Sequence, residues 1–124
     1  MAKKRKTAVR KKAKKAAPKA RKAGAAICYA EHDTYTEIAD ITTDFVYARL
    51  QKGNEKLKAG YPPKALDQWA ERAKTWAKGG APKDLPRIEK KAPAKTPRDA
   101  FIYFIHEAKV RAPAAAMALI ERVS

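Results

Sequence analysis

The number and spacing of the lysine and arginine side chains in this sequence indicate that the protein binds phosphate groups. The chain of 124 residues has 29 Lys plus Arg against 13 Asp plus Glu, a formal net charge of +16. A sequence pI near 10.1 is typical of proteins that neutralise a polyanion. Solubility alone needs only about 2 to 8 net charges in a small domain. The composition therefore predicts a nucleic acid, DNA or RNA, as partner.

The positive charge is concentrated at the amino terminus. Residues 1–24 hold twelve basic residues and no acid, whereas residues 25–48 hold five acids and neither Lys nor Arg. A segment of Lys and Ala buries too little apolar surface to offset its ordering entropy, and blocks of like charge usually serve as interaction tails. We therefore predict a disordered basic arm over residues 1–27, followed by one domain over residues 28–124. The arm residues predicted to bind nucleic acid are Lys3, Lys4, Arg5, Lys6, Arg10, Lys11, Lys12, Lys14, Lys15, Lys19, Arg21 and Lys22.

Two interpretations of the arm follow from its composition. The stretch KKAKKAAPKARKA resembles histone tails, linker-histone tails and ribosomal-protein extensions, a compositional resemblance that names no family. The cluster Lys3–Lys6 also fits the short basic pattern read by nuclear import receptors. The arm is thus interpreted as a phosphate-binding element or as a nuclear import signal.

Candidate metal ligands are few. The pair His106-Glu107 lacks the second histidine of an H-E-x-x-H motif, because position 110 is Val110. Cys28 and His32 are four residues apart, a spacing that a helix could use for two ligands, but no further Cys or His lies nearby in sequence. We predict no metal site and no cofactor.

Catalytic machinery is not apparent elsewhere in the chain. No glycine-rich phosphate loop occurs, and the acids within residues 37–44 face no evident base or metal ligand. No apolar run approaches the ~18 residues that would span a bilayer. The sequence therefore predicts a non-enzymatic, intracellular protein without a membrane partner, placed in a nucleoid or nucleus rather than in free cytoplasm.

The elements that carry these side chains are predicted to be helices. A first helix is expected to begin at Thr34, with Glu37 at capping-box distance and with Ile38, Ile41 and Phe45 following at steps of three and four. We find no alternation typical of a strand. The fold class predicted is all-α: a small bundle of three to four helices preceded by the disordered basic arm.

The second helix has the clearest pattern. Pro63 suits a first helical position and Gly79-Gly80 supplies a stop. Between them Leu66, Trp69 and Trp76 fall on one apolar stripe. We interpret both tryptophans as core residues rather than as stacking platforms for bases.

The carboxyl-terminal third combines a linker and two further helices. Residues 79–97 are rich in Pro and Gly and are predicted to be a basic linker, which either follows a phosphate backbone or serves as a plain spacer. Thr96–Asp99 is expected to open a helix that Pro113 divides, with a last helix over Ala114–Val123. The secondary nucleic-acid contacts predicted here are Lys90, Lys91, Lys95 and Arg98.

These observations favour sequence-independent binding of nucleic acid through phosphates, in DNA compaction, genome packaging or an architectural role. Two alternatives stay open. One is a structural component of a ribonucleoprotein such as a ribosome. The other is a helical adaptor that binds a protein partner or a second copy through its body and uses the arm as a targeting signal.

Overall fold

The protein has an α/β fold built on a parallel sheet. The computed structural model describes residues 14–105 and 109–124. Its elements in chain order are a helix over residues 14–23 (α1), β1 (Cys28–Glu31), β2 (Phe45–Leu50), α2 (Pro63–Ala77), β3 (Asp99–Phe104), a 3-10 turn (Lys109–Arg111) and α3 (Ala112–Val123). The strands pair in the order β1-β2-β3, all parallel. The prediction of an all-α bundle is therefore wrong.

The first predicted helix is replaced by a loop and a strand. Residues 32–44 contain neither helix nor strand, and the hydroxyl of Thr34 lies 2.9 Å from Nδ1 of His32 instead of capping a helix. In β2, Val46, Ala48 and Leu50 are buried. This is the two-residue period of a strand. The aromatic and β-branched residues of this segment favour that conformation.

The helix predicted after Thr96 is also wrong, since its first half is β3. Ile102 and Phe104 pack against the core, while Phe101 and Tyr103 lie on the opposite face. Because both faces are apolar, the segment has no alternation of polar and apolar residues. Periodicity cannot separate such a run from a buried helix.

The second helix is confirmed. It begins at Pro63 and ends at Ala77, with Pro in its first turn. Gly79 follows with a φ of +92°, and a Cβ there would lie 2.5 Å from the carbonyl oxygen of Thr96. Only glycine fits this close approach of two backbones.

In the rest of the carboxyl-terminal third, the structure contains the last helix that the sequence predicted. Residues 79–97 contain neither helix nor strand, although Leu85 is buried. The last helix, α3, begins at Ala112, with Pro113 in its first turn rather than at a kink. No helix within the described residues is long and apolar enough to cross a membrane.

The core lies between one face of the sheet and helices α2 and α3. Trp69 and Trp76 are each 1% exposed, which confirms their interpretation as core residues. The ring centroids of Tyr29 and Trp69 are 5.8 Å apart, and those of Tyr61 and Phe104 are 5.5 Å apart. We call this side of the sheet the covered face.

The opposite side of the sheet, which we call the open face, carries four aromatic rings in two pairs. Phe45 and Phe101 meet edge to face with centroids 6.0 Å apart, and Tyr47 and Tyr103 lie 5.1 Å apart. The open face consists of Cys28, Ala30, Phe45, Tyr47, Arg49, Asp99, Phe101 and Tyr103.

Candidate nucleic-acid interface

Helix α1 occupies part of the segment that the sequence predicted to be disordered. The helix ends at Gly24, whose φ is +69°. The amide of Gly24 donates to the carbonyl of Arg21 at 3.1 Å, and the amide of Ala25 donates to the carbonyl of Ala20 at 2.9 Å. This pair of bonds is a Schellman motif, which satisfies the last carbonyls of the helix. The prediction of disorder over residues 1–27 is thus corrected for residues 14–23.

The lysines of α1 lie on the side of the helix away from its buried residue. Ala17 is fully buried, whereas Lys15, Lys19 and Lys22 are exposed. At 100° per residue those three lysines form one stripe roughly opposite Ala17. The helix therefore presents its charges as an ordered row.

Arg21 holds α1 against the rest of the protein. Its guanidinium donates to both carboxylate oxygens of Glu89, at 3.0 and 2.7 Å, and approaches the carbonyl of Ile41 at 3.4 Å. The hydrogen bond to Arg21 holds the pKa of Glu89 below its usual value, and the same bond raises the pKa of Arg21. Arg21 was predicted to contact phosphate, and in the structure its guanidinium pairs with Glu89 and thereby positions α1.

The predicted linker is fixed by the loop that precedes β2. The carboxylate of Asp40 accepts hydrogen bonds from the amides of Ile88 and Glu89 at 2.7 and 2.8 Å. The amide of Ala39 donates to the carbonyl of Pro86 at 2.8 Å. Asp40 is buried, so these bonds are shielded from water. They place Glu89 where Arg21 reaches it.

The two basic regions predicted from the sequence therefore meet in space. Lys90, Lys91 and Lys95 are exposed, and Lys91 lines a surface pocket with Arg21 and Glu89. We call the combined set the lysine surface. Its members are Lys14, Lys15, Lys19, Lys22, Lys90, Lys91 and Lys95.

Arg98 does not belong to this surface. The residue is only 8% exposed. Its guanidinium donates to the carbonyls of Thr43, Gly79, Thr96 and Ala94. It joins the amino-terminal ends of β2 and β3 to the end of α2, so the prediction of a phosphate contact at Arg98 is corrected to a structural role.

The earlier part of the predicted arm, from Lys3 to Lys12, lies outside the described residues, as does the pair His106-Glu107. Cys28 lies on the open face, where desolvation raises the pKa of its thiol and the charge of Arg49 opposes that shift. Among residues 14–105 and 109–124, no group of three His, Cys, Asp or Glu side chains could hold a metal ion.

A buried carboxylate at the carboxyl end of β1 was not singled out by the sequence. Glu31 Oε1 accepts hydrogen bonds from the hydroxyl of Tyr61 and from the amide of Lys52, at 3.1 and 3.2 Å. Its Oε2 accepts one from the indole of Trp69 at 3.2 Å. Burial raises the pKa of the Tyr61 hydroxyl, and the charge of Glu31 raises it further. The only signal in the sequence was an acid that directly follows the apolar stretch of residues 27–30.

The tyrosine pair of the open face was also missed. Tyr47 and Tyr103 belong to strands predicted as helices, where residues two apart do not share a face. In paired parallel strands Arg49 stands beside Tyr103 and Tyr47 beside Phe101. The signal that would have found them is the spacing Phe45-x-Tyr47 matched by Phe101-x-Tyr103.

The parallel sheet, with helices α2 and α3 packed on its covered face, defines an α/β protein with a basic surface at the amino-terminal ends of its strands. The chain belongs to the DUF72 family, described as a protein of unknown function, whose model matches residues 9–124. The matched range includes α1. No curated protein and no solved structure matches the chain.

Proposed function

We propose that the protein binds nucleic acid through phosphates, with the lysine surface as the described part of its contact. The observation that carries this proposal is the bond between Arg21 and Glu89, which brings two separate basic segments together. An ammonium group acts on phosphate as a point charge and reads no base edge. Binding is accordingly expected to be independent of sequence.

The ordered row of lysines supports this reading of the charge. Lys15, Lys19 and Lys22 are exposed side by side on one helix, where their mutual repulsion is relieved by a polyanion. Each phosphate contact releases condensed counterions, so affinity falls with salt. The same proposal places the protein in a nucleoid or nucleus.

The proposed role is binding rather than catalysis. Glu31 is the buried acid at the carboxyl end of the sheet, where parallel sheets commonly place their sites. Both of its oxygens already accept hydrogen bonds within the core. A carboxylate held in this way serves to tie Tyr61 and Trp69 together.

The test is a salt series on the full chain. Affinity for a random-sequence RNA duplex is measured by fluorescence anisotropy for the wild type and for the triple variant Lys15→Gln, Lys19→Gln and Lys22→Gln. Each lost phosphate contact lowers the magnitude of the log–log salt slope by about 0.9 for B-DNA, and a comparable change is expected here. Because the variant loses three lysines, the magnitude of its salt slope is expected to fall by about two to three times this amount.

A matched control removes the same charge elsewhere. Lys56, Lys58 and Lys64 are exposed and outside the lysine surface. Changing these three to Gln is expected to leave the slope nearly unchanged. Equal losses in both triple variants would mean that only net charge matters and that the lysine surface is not a site. Absence of binding by the wild type at low salt would overturn the proposal altogether.

A further inference from the structure

The open face of the sheet has the composition of a contact surface rather than of a solvated one. Phe101 and Tyr103 are 46% and 45% exposed, and each pairs with a ring of β2, Phe45 and Tyr47 respectively. The two ring pairs are neighbours on the sheet, because Tyr47 and Phe101 lie opposite each other in the strand register. All-parallel sheets are normally covered on both faces. Among the described residues, helices α2 and α3 cover one face, and the rings of the other face remain accessible to a ligand.

We propose that the open face is a stacking platform for the unpaired bases of single-stranded RNA. Bases and aromatic side chains stack face to face regardless of sequence. Sheets with exposed rings hold two or three bases in this way. RNA presents unpaired bases in its loops, which makes it the common source of such a ligand. The inference rests on the nucleic-acid binding proposed above and names its substrate class.

The size of the open face argues against a second copy as its occupant. Three strands of four to six residues span about 300 Å², given ~4.8 Å between strands and ~3.3 Å per residue. A stable protein interface needs about 800 Å² on each partner. The face is too small for that and is large enough for a few bases.

The shape of the open face is also suited to flat ligands. On β1 only the small side chains of Cys28 and Ala30 point to this side, so they leave a shallow floor beside the rings. Within the described residues, the hydroxyls of Tyr47 and Tyr103 make no hydrogen bond, so each can bond a base edge or a 2′-hydroxyl.

The charged side chains around the rings determine where the phosphates of a bound RNA are expected to lie. Arg49 is exposed beside Tyr103 near the carboxyl end of the sheet and forms no ion pair within the described residues. Asp99 occupies the amino-terminal corner, beside Phe45. Phosphates are therefore expected near Arg49 and not near Asp99. The lysine surface adjoins the amino-terminal end, because Arg21, Asp44 and Thr96 line one pocket there.

The experiment compares three probes on the full chain, with a 12-mer of oligo(dT) as a fourth to distinguish RNA from DNA. The three probes are a 12-mer of oligo(U), an abasic phosphodiester of the same length and an RNA duplex of the same length. The wild type is expected to bind oligo(U) at least about tenfold more tightly than the abasic chain, because stacking adds to the phosphate contacts. Tighter binding of oligo(dT) than of oligo(U) would overturn the assignment to RNA.

Variants on the open face test whether the rings of Tyr47 and Tyr103 stack on the bases. The double variant Tyr47→Leu and Tyr103→Leu is expected to bind oligo(U) no better than the abasic chain, with unchanged binding of the duplex. Replacing both residues with Phe retains the rings and is expected to keep oligo(U) binding within about threefold. Tyr35→Leu removes an exposed ring outside the sheet and is the control. Circular dichroism establishes that each variant is folded.

The outcomes separate this inference from the proposal on which it rests. Equal binding of oligo(U) and the abasic chain, without effect of the Tyr→Leu changes, would refute the platform and leave the lysine surface standing. Binding of no probe would refute both. A dimer in sedimentation equilibrium that the Tyr→Leu changes dissociate would assign the open face to a second copy and overturn the inference.

Discussion

The two faces of the sheet carry similar side chains in different surroundings. The covered face presents Tyr29, Val46 and Leu50 to helices α2 and α3, and these residues are almost fully buried. The open face presents Phe101 and Tyr103, which remain about half exposed. Both sets are apolar, so hydropathy alone does not tell which side is the core.

The difference between the faces is in their polar partners. On the covered face Glu31 accepts hydrogen bonds from Tyr61 and Trp69 and is enclosed by them. On the open face Arg49 and the hydroxyl of Tyr103 have no such partner within the described residues. A closed hydrogen-bond network fixes one arrangement of the core. Open polar groups among exposed rings are available to a ligand.

The largest expected change in the free energy of unfolding comes from a pair of variants that compares the two faces of the sheet. Trp69→Ala should lower the free energy of unfolding by about 3 to 5 kcal/mol, because it leaves a cavity and removes a donor from Glu31. Phe101→Ala on the open face should cost no more than about 1.5 kcal/mol, the range of one exposed aromatic pair. Urea denaturation followed by circular dichroism measures both. Similar losses would mean that the open face is part of the core.

A second pair of variants compares two arginines close to the sheet. Arg98→Leu should cost about 3 kcal/mol, because a buried set of carbonyls loses its charged donor. Arg49→Leu, on the open face, should change the free energy of unfolding by less than about 0.5 kcal/mol. The same denaturation experiment applies. A large loss at Arg49 would indicate an intramolecular partner and would remove it from the proposed platform.

A third comparison uses two tyrosine hydroxyls. Tyr61→Phe should cost about 1 to 2 kcal/mol, because Glu31 loses a donor and the amide of Lys52 loses an acceptor. Tyr103→Phe should be nearly neutral, since its hydroxyl has no partner among the described residues. Equal changes in the free energy of unfolding for the two variants would show that the hydrogen bonds of Tyr61 contribute little to stability.

The same tyrosine gives a pH dependence. Burial, and then the charge of Glu31, raise the pKa of Tyr61 above its ordinary value of 10.0. The unfolded chain loses this proton as the pH passes that value and the folded protein does not, so the free energy of unfolding should fall at higher pH. Tyr61→Phe should make the fall shallower. Chemical denaturation at pH 9, 10 and 11 measures it, and an unchanged slope in the variant would contradict the assignment.

Parts of this structure could be predicted from the sequence because local signals agreed with the tertiary ones. Helix α2 has Pro63 at its start, glycine after its end and a single apolar stripe, and the structure contains it as predicted. The lysines of residues 14–22 and 90–95, which the sequence predicted to contact phosphate, are exposed in the structure. Neither required knowledge of distant contacts.

The strands could not be predicted because their decisive contacts are distant in sequence. β2 is separated from β3 by the whole of α2, and only their pairing explains why Phe45 and Phe101 point the same way. The role of Arg98 could not be predicted for the same reason, because its contacts are distant in sequence. Its charge is visible in the sequence, but the carbonyls that enclose it come from residues 43, 79, 94 and 96.

The smallest expected effect concerns the attachment of α1, where the lysine surface meets the amino-terminal end of the sheet. Glu89→Gln removes the negative charge that pairs with Arg21 and should cost less than about 1 kcal/mol in global stability, as is usual for exposed ion pairs. The bond to Arg21 lowers the pKa of Glu89, so its contribution is present at neutral pH and is lost as the pH falls through that lowered pKa.

Local opening reports this attachment better than global unfolding does. Amide hydrogen exchange within residues 14–23 should be faster in Glu89→Gln, and faster in the wild type at high salt, because both weaken the bond that holds the helix. Glu71→Gln is the control, since its ion pair with Lys74 lies within α2. Unchanged exchange in Glu89→Gln would mean that the other contacts of α1, the burial of Ala17 and the hydrogen bond from Arg21 to the carbonyl of Ile41, are sufficient to hold it. The lysine row would then keep its place on the surface without the ion pair between Arg21 and Glu89.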